Sequence, residues 1–340
     1  MSMPRKGGWT RQGSRGRFRY VDARGKRITD RDALARIQSL VIPPAWKDVW
    51  ISPRPTAKLQ ATGIDAAGRK QYLYHPDFRA QQDQAKFDRL ILFAERLPDL
   101  RLATSEHMDN DKLDRERVAA IATRLINRGW FRVGTERYAK ESRTFGITTL
   151  RKSHVRVRGN RIMFDFRGKH RSVIRTTLVD AELADAISDL LDLPGGRRLF
   201  RYEWEGDLYN LTGARLNEYV RTYLGDQFTA KDFRTWGGTL IAAVQLAERG
   251  VAETDAEAKR AVAAVMRRVG EELGNTPAVA RSSYVSPAVI DQYLDGTTID
   301  DFRPRHLRVV GARDVGLDRE EQALLSLLRS WRIKRGRAAA

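Results

Sequence analysis

Four residues of the chain are of types that together could exchange one phosphodiester for another: Arg132 in "FRVG", Lys169 in "RGKH", Arg234 in "KDFRTWGG" and Tyr284 in "ARSSY". A phenol can attack phosphorus. Guanidinium groups can hold the two non-bridging oxygens as negative charge builds, because their planar fork matches phosphate and their charge persists at any physiological pH. A lysine can protonate the departing sugar oxygen if neighbouring cations pull its pKa below the ordinary value of about 10.4. Spacing alone does not select Arg132, Lys169 and Arg234 from the chain's 62 lysines and arginines. A single tyrosine between two helices is more often a packing residue than a nucleophile.

The elements that must position them are legible to different degrees. "KDFRTWGG", residues 231–238, reads as the start of a helix: Thr229 and Asp232 have the spacing of a capping box, and Phe233, Trp236 and Leu240 recur on one apolar face. Arg234 sits beside that face with Gly237 and Gly238 as its neighbours three and four positions on. The glycines leave room either for close approach by DNA or for tightly packed protein backbone. Thr276–Pro277 and Ser286–Pro287 mark two further helix starts, since proline suits the first helical turn, and Tyr284 lies between them. Upstream, "KFDRLILFAERL" and "DKLDRERVAAIATRLINRGW" have helical periodicity. In "SHVRVRGNRIMFDFRGKHRSVIRTTL", Val155, Val157, Ile162, Phe164 and Phe166 alternate with polar residues across turns at "RGN" and "RGKH", which predicts a small antiparallel sheet with Lys169 at a hairpin tip. Helices are expected from about residue 181 almost to the end, with "RIKRGRAAA" as a frayed basic tail.

The first fifth of the chain differs. Residues 1–76 contain 16 Lys and Arg against 5 Asp and no Glu, and consist of short extended runs broken by glycine turns. In "RKQYLYHP" alternation puts Tyr72 and Tyr74 on one strand face and Gln71 on the other or at a twisted edge. Tyr and Gln amid basic residues can touch bases and sugars while Arg69 and Lys70 take phosphates; a half-buried strand with its tyrosines in the core fits the same alternation. "HPDFRAQQDQ" is the candidate connection. The expected organisation is α+β: residues 1–78 as a β-rich basic domain, and residues 79–340 as a mainly helical domain with an embedded sheet. A chain of 340 residues is long enough for both to have cores.

Composition narrows the function classes. The formal net charge of +19 favours a polyanionic partner, most commonly nucleic acid. Zero cysteines exclude a disulfide frame, a thiolate zinc site and a cysteine nucleophile, and five scattered histidines supply metal or imidazole chemistry thinly. No "GxxxxGK[ST]" phosphate loop is present. No stretch is apolar enough to span a bilayer and the N-terminus has no signal-peptide core, which predicts a cytoplasmic protein.

In order, "QYLYHP", "FRVGTERY", "RGKH", "KDFRTWGG" and "GNTPAVARSSY" resemble the signature segments of type IB DNA topoisomerases, in the compact poxvirus-like and bacterial branch. The resemblance runs from the β-rich region to Tyr284. It implies a two-domain clamp around double-stranded DNA, acting as a monomer at the nucleoid without metal or other cofactor. It further implies that Tyr284 is the nucleophile of a 3′-phosphotyrosyl link and that Arg234 grips a non-bridging oxygen. Arg132 would share in transition-state stabilisation, and Lys169 would be the general acid. Gln71, Tyr72 and Tyr74, with Arg69 and Lys70, fall where the first domain would meet the major groove; Arg137 and Tyr138 fall where DNA is contacted near the cleavage site. The poxvirus members carry histidine nine residues before the nucleophile, where this chain has Asn275, whose amide can donate to a phosphate oxygen without adding charge. Exchange of one phosphodiester for another conserves bond energy, so religation needs no ATP, and DNA affinity should fall steeply with salt. Tyrosine recombinases share this chemistry but typically show H-x-x-R, where this chain has Lys231, Asp232, Phe233 and Arg234. A DNA-binding protein without catalysis would be satisfied by the basic first domain alone.

Overall fold

Five short strands build one antiparallel sheet at the start of the chain: β1 (Trp9–Gln12), β2 (Arg19–Val21), β3 (Lys47–Ile51), β4 (Leu59–Ile64) and β5 (Lys70–Tyr74), in spatial order β2-β1-β3-β4-β5. They belong to the first of two units, Met1–Lys86 and Phe87–Ala340, in a computed structural model that describes residues 7–14, 16–304 and 315–338. One face of the sheet buries Val49, Ile51 and Ala61 with Ile37 of a helix, α1 (Arg31–Ser39), that the extended texture of the sequence hid. Its start was marked all the same: the Asp30 carboxylate accepts the Ala33 N–H at 2.7 Å, an N-cap of the usual kind. Tyr72 and Tyr74 are 48% and 46% exposed, with rings stacked 6.2 Å apart. They therefore lie outside the core, while Gln71 and Leu73 are half-buried on the other face.

A long helix, α2 (Pro76–Met108), follows; the "HPDFRAQQDQ" segment forms its first turns, so it passes through the expected boundary at residue 78 as well as the division at residue 86. In the second unit α3 (Arg115–Gly129) starts at Asp114, whose carboxylate accepts the Arg117 N–H at 2.7 Å, and ends on Trp130 in the left-handed conformation at φ 49°. After α4 (Glu136–Glu141) come β6 (Val155–Arg158), β7 (Arg161–Arg167) and β8 (Val173–Val179), a three-stranded antiparallel meander with Val155, Ile162, Phe164 and Phe166 buried, as their alternation predicts. The chain continues through α5 (Ala181–Asp192), β9 (Arg201–Trp204), β10 (Asp207–Asn210), α6 (Gly213–Leu224), α7 (Asp232–Arg249), α8 (Asp255–Glu272), α9 (Pro277–Ser283), α10 (Pro287–Leu294) and α11 (Arg319–Ala338). The β9–β10 hairpin interrupts what sequence reading took as all helix. Every residue of β10 is exposed, so no buried face imposes an alternation that could have announced it.

The core of this unit is continuous, with Phe93 packed edge-on against Phe228 and Phe233 at 5.6 and 5.1 Å. Of the expected frayed tail, residues through Ala338 are helical in α11, and residues 339–340 lie outside the described ones. α11 is anchored by buried Glu321, which accepts two bonds from Arg101 at 2.7 and 2.8 Å and one from the Trp236 indole at 3.1 Å. Removing either member of such a buried ion pair costs about 3–5 kcal/mol, because the other is left uncompensated. No helix of the described residues is long and apolar enough to cross a membrane.

Candidate active site

The helix that carries Arg234 begins much as its sequence suggests. The Asp232 carboxylate accepts the Thr229 N–H at 2.8 Å and the Thr229 hydroxyl at 3.0 Å. The reciprocal half of the box is replaced by a backbone bond from the Asp232 N–H to the Thr229 carbonyl at 2.9 Å. Phe233 and Trp236 are buried on the apolar face, and Arg234 is buried with them, 5% exposed.

Neutral oxygens hold that guanidinium. Its Nη1 donates to the Trp130 carbonyl and its Nη2 to the Leu273 carbonyl at 2.6 Å, while its buried Nε has no partner. Its carbon sits 5.0 Å from the centre of the Tyr284 ring, where its charge acts on the phenol. Arg132 acts on the same phenol through its charge and donates through Nη2 to the Gly274 carbonyl at 3.0 Å and the Asn275 side-chain oxygen at 2.7 Å. Burial, and then repulsion by Arg132, pull Arg234 down to about 10, which leaves it charged at neutral pH. Burial pushes the Tyr284 phenol up, but Arg234, Arg132 and Lys231 together outweigh it and hold the phenol below its ordinary 10. Forming a phenolate thus costs less here than for an ordinary tyrosine, which is what a nucleophile would need.

Gly237 and Gly238 are used for packing within the protein. A Cβ on Gly237 would lie 2.2 Å from the Trp130 indole nitrogen; one on Gly238 would lie 2.9 Å from the Tyr284 carbonyl oxygen and 3.0 Å from the Tyr284 Cβ. The floor beside Arg234 is therefore the seat of the tyrosine, whose carbonyl also accepts the Thr239 hydroxyl at 3.1 Å. Gly238→Ala is expected to keep the helix, which alanine favours, and to displace Tyr284. Because misplacement by about 1 Å can cost a factor of about 100, single-turnover DNA cleavage should slow by one to two orders of magnitude. Cleavage at the parent rate would show that the seat has slack.

Lys169 opens a short 3₁₀ turn between β7 and β8, in which His170 and Arg171 both take left-handed conformations at φ 59° and 60°. Two successive non-glycine residues there are uncommon and cost of order 1 kcal/mol each. The lysine is exposed and lines a cleft of about 410 Å³ with Arg132 and Arg234. So the structure joins Asn275 to Arg132 and sets Arg234 over Tyr284, and it places Lys169 on the wall of the cleft that the two arginines line.

The remaining sequence candidates are on α4 and in the first unit. Arg137 is ion-paired with Glu141 at 3.0 Å on exposed α4, beside Tyr138, which is 43% exposed. In the first unit, the Asp65 carboxylate accepts from Arg69 and from the Gln71 amide, both at 2.8 Å, and Lys70 stands 6.0 Å over the Tyr72 ring. Sequence reading missed Trp130, whose carbonyl holds Arg234, and Lys231, which acts on the phenol through charge. Lys231 was findable, being one helical turn before Arg234. Trp130 carried no signal, because its partner is 104 residues away.

Comparison with known proteins matches residues 75–299 to the catalytic core of eukaryotic DNA topoisomerase I, and residues 17–65 to the N-terminal domain of bacterial DNA topoisomerase IB. DNA topoisomerase 1B of Acanthamoeba polyphaga mimivirus is 31% identical over 284 residues, covering 81% of this chain and 84% of that protein. DNA topoisomerase 1B of Vaccinia virus (strain Western Reserve) is 22% identical over 279 residues, covering 80% and 85%. DNA topoisomerase 1 beta of Arabidopsis thaliana is 25% identical over 211 residues, 60% of this chain and 22% of that protein.

Proposed function

The chain belongs to the type IB DNA topoisomerases, and from that membership we propose that it relaxes supercoiled DNA without ATP or metal, by transient cleavage of one strand through a 3′-phosphotyrosyl link at Tyr284. The observation that carries this reading is the pair of guanidiniums, Arg234 buried and Arg132 half-buried, whose charges act on one phenol and which carbonyl and amide oxygens hold. Such a pair lacks a counter-charge that the scissile phosphate would supply.

The Tyr284 proton leaves to solvent and the phenolate oxygen attacks phosphorus. Arg132 and Arg234 hold the non-bridging oxygens, and their charge, fixed in place by the surrounding oxygens, needs little reorganisation as the transition state forms. The bond from phosphorus to the 5′ oxygen breaks, and Lys169 gives that oxygen a proton from the cleft wall. Rotation of the freed 5′ end relaxes the duplex. Attack by the 5′ hydroxyl reverses each step and restores the phenol. Double-stranded DNA is the partner, met by a monomer, and the exposed Lys70, Tyr72 and Tyr74 stripe of the first unit is the second contact surface, with Arg69 and Gln71 at its turn and Arg137 and Tyr138 on α4.

Negatively and positively supercoiled plasmid, incubated with the chain in EDTA without ATP, should both relax. Supercoils that persist while the plasmid still shifts on a gel would overturn the reading. The pH profile adds a second check. Since the folded chain holds the phenol below 10, the single-turnover cleavage rate should rise with pH and reach half its plateau below pH 10. Lys231→Ala removes one of the cations that favour phenolate, so its rise should move to higher pH; a profile at the parent position would remove Lys231 from the site.

A further inference from the structure

The turn that follows α8 grips both arginines at once. Its Leu273 carbonyl accepts from Arg234 at 2.6 Å, while its Gly274 carbonyl and the Asn275 side-chain oxygen accept from Arg132 at 3.0 and 2.7 Å. The Asn275 side-chain N–H in turn donates to the Leu273 carbonyl at 3.1 Å, and the Asn275 backbone N–H donates to the Gly270 carbonyl at 2.7 Å. These bonds fix the amide's orientation. Reversed, it would set N–H against the Arg132 N–H and carbonyl against the Leu273 carbonyl. The backbone beneath is equally confined, because a Cβ on Gly270 would lie 2.8 Å from the Asn275 carbonyl oxygen.

We infer that Asn275 is a positioning residue that acts on the reaction through Arg132, and that residues 273–275 form a bracket holding two like-charged guanidiniums beside one phenol. The inference rests on the proposed role of Arg132. It takes the place of the expected donation from Asn275 to phosphate: the amide oxygen is engaged by Arg132, and the amide donates to the Leu273 carbonyl. The chemistry of the bracket fits the task. A carboxylate at position 275 would also orient Arg132, but it would neutralise the charge that the phosphate is to meet. An amide oxygen orients by hydrogen bonding and leaves that charge in place.

A double-mutant cycle on the full chain separates the roles. The rate of covalent complex formation on duplex DNA is measured under single-turnover conditions for the parent, Asn275→Ala, Arg132→Ala and the double variant, with thermal unfolding of each as a control. Asn275→Ala is expected to slow the parent roughly 10- to 100-fold by releasing Arg132 from its place. In the Arg132→Ala background it should change the rate by less than about twofold, because nothing remains for it to position. A direct phosphate contact, or a general loss of structure, would instead carry the full factor into the Arg132→Ala background, and that result overturns the inference. So does an Asn275→Ala chain as fast as the parent. If Arg132→Ala itself cleaves at the parent rate, the assignment of Arg132 fails and the inference falls with it. Should Asn275→Ala not fold, Asn275→Ser takes its place in the cycle.

Discussion

Tyr284→Phe is expected to leave plasmid supercoils intact, with relaxation reduced by at least about four orders of magnitude, while duplex DNA is bound as tightly as by the parent to within about twofold. The substitution removes one oxygen. The ring that Arg234 covers at 5.0 Å remains, as does the backbone seat on Gly238, so the charge that DNA meets is unchanged. What disappears is the oxygen proposed to form the covalent link, and no arrangement of guanidiniums substitutes for a nucleophile. Relaxation and gel-shift assays on the same preparations decide the matter. If the variant still relaxes DNA, the nucleophile lies elsewhere; if relaxation and binding vanish together, Tyr284 is a structural residue and the catalytic reading is wrong.

What sequence reading could reach depended on how far apart in the chain the cause and the effect lay. Local signals were dependable: the prolines of α9 and α10, the apolar face of α7 and the alternation of β6 and β7 each arise from neighbours within a few residues, and the elements formed where they were expected. The α+β class followed from them. α1 was obscured because its nine residues sit among glycine turns and strands, and only Asp30 announced it. The hairpin of β9 and β10 had no buried face to impose a period. Within the site, residue types and recognisable segments pointed to Tyr284, Arg132, Lys169 and Arg234, but not to how they are held. The use of Gly237 and Gly238 was undecidable in advance because the atoms that fill their space belong to Trp130 and Tyr284. The engagement of Asn275 by Arg132 spans 143 residues. A sequence shows that a side chain can donate or accept; only the fold shows whether a partner has already taken it.

Arg234→Met should separate stability from activity, and in opposite senses. The folded chain holds this guanidinium at about 10, against an ordinary 12.5, so it binds the proton less tightly folded than unfolded. The sign follows: below pH 10 the charged group opposes folding by the full difference, about 3 kcal/mol, and that cost fades only as the pH rises from about 10 towards 12.5. Methionine fills similar space without charge and removes the cost. It also leaves the Trp130 and Leu273 carbonyls without their guanidinium donor, at about 1–3 kcal/mol each if unmet, although Leu273 keeps the Asn275 N–H. The two effects nearly cancel, and the unfolding midpoint should stay within about 4 °C of the parent. Activity has no such compensation. Loss of one preorganised donor to a developing oxyanion costs a factor of about 100 to 1,000, and here the donor also lowers the pKa of the nucleophile, so cleavage should fall by at least about 1,000-fold. Arg234→Lys should recover little of it, since one ammonium cannot span both carbonyls and still face a phosphate oxygen. A variant that melts far below the parent would make Arg234 a structural cation. One that cleaves at the parent rate would leave the buried charge, with its unpartnered Nε, without a purpose.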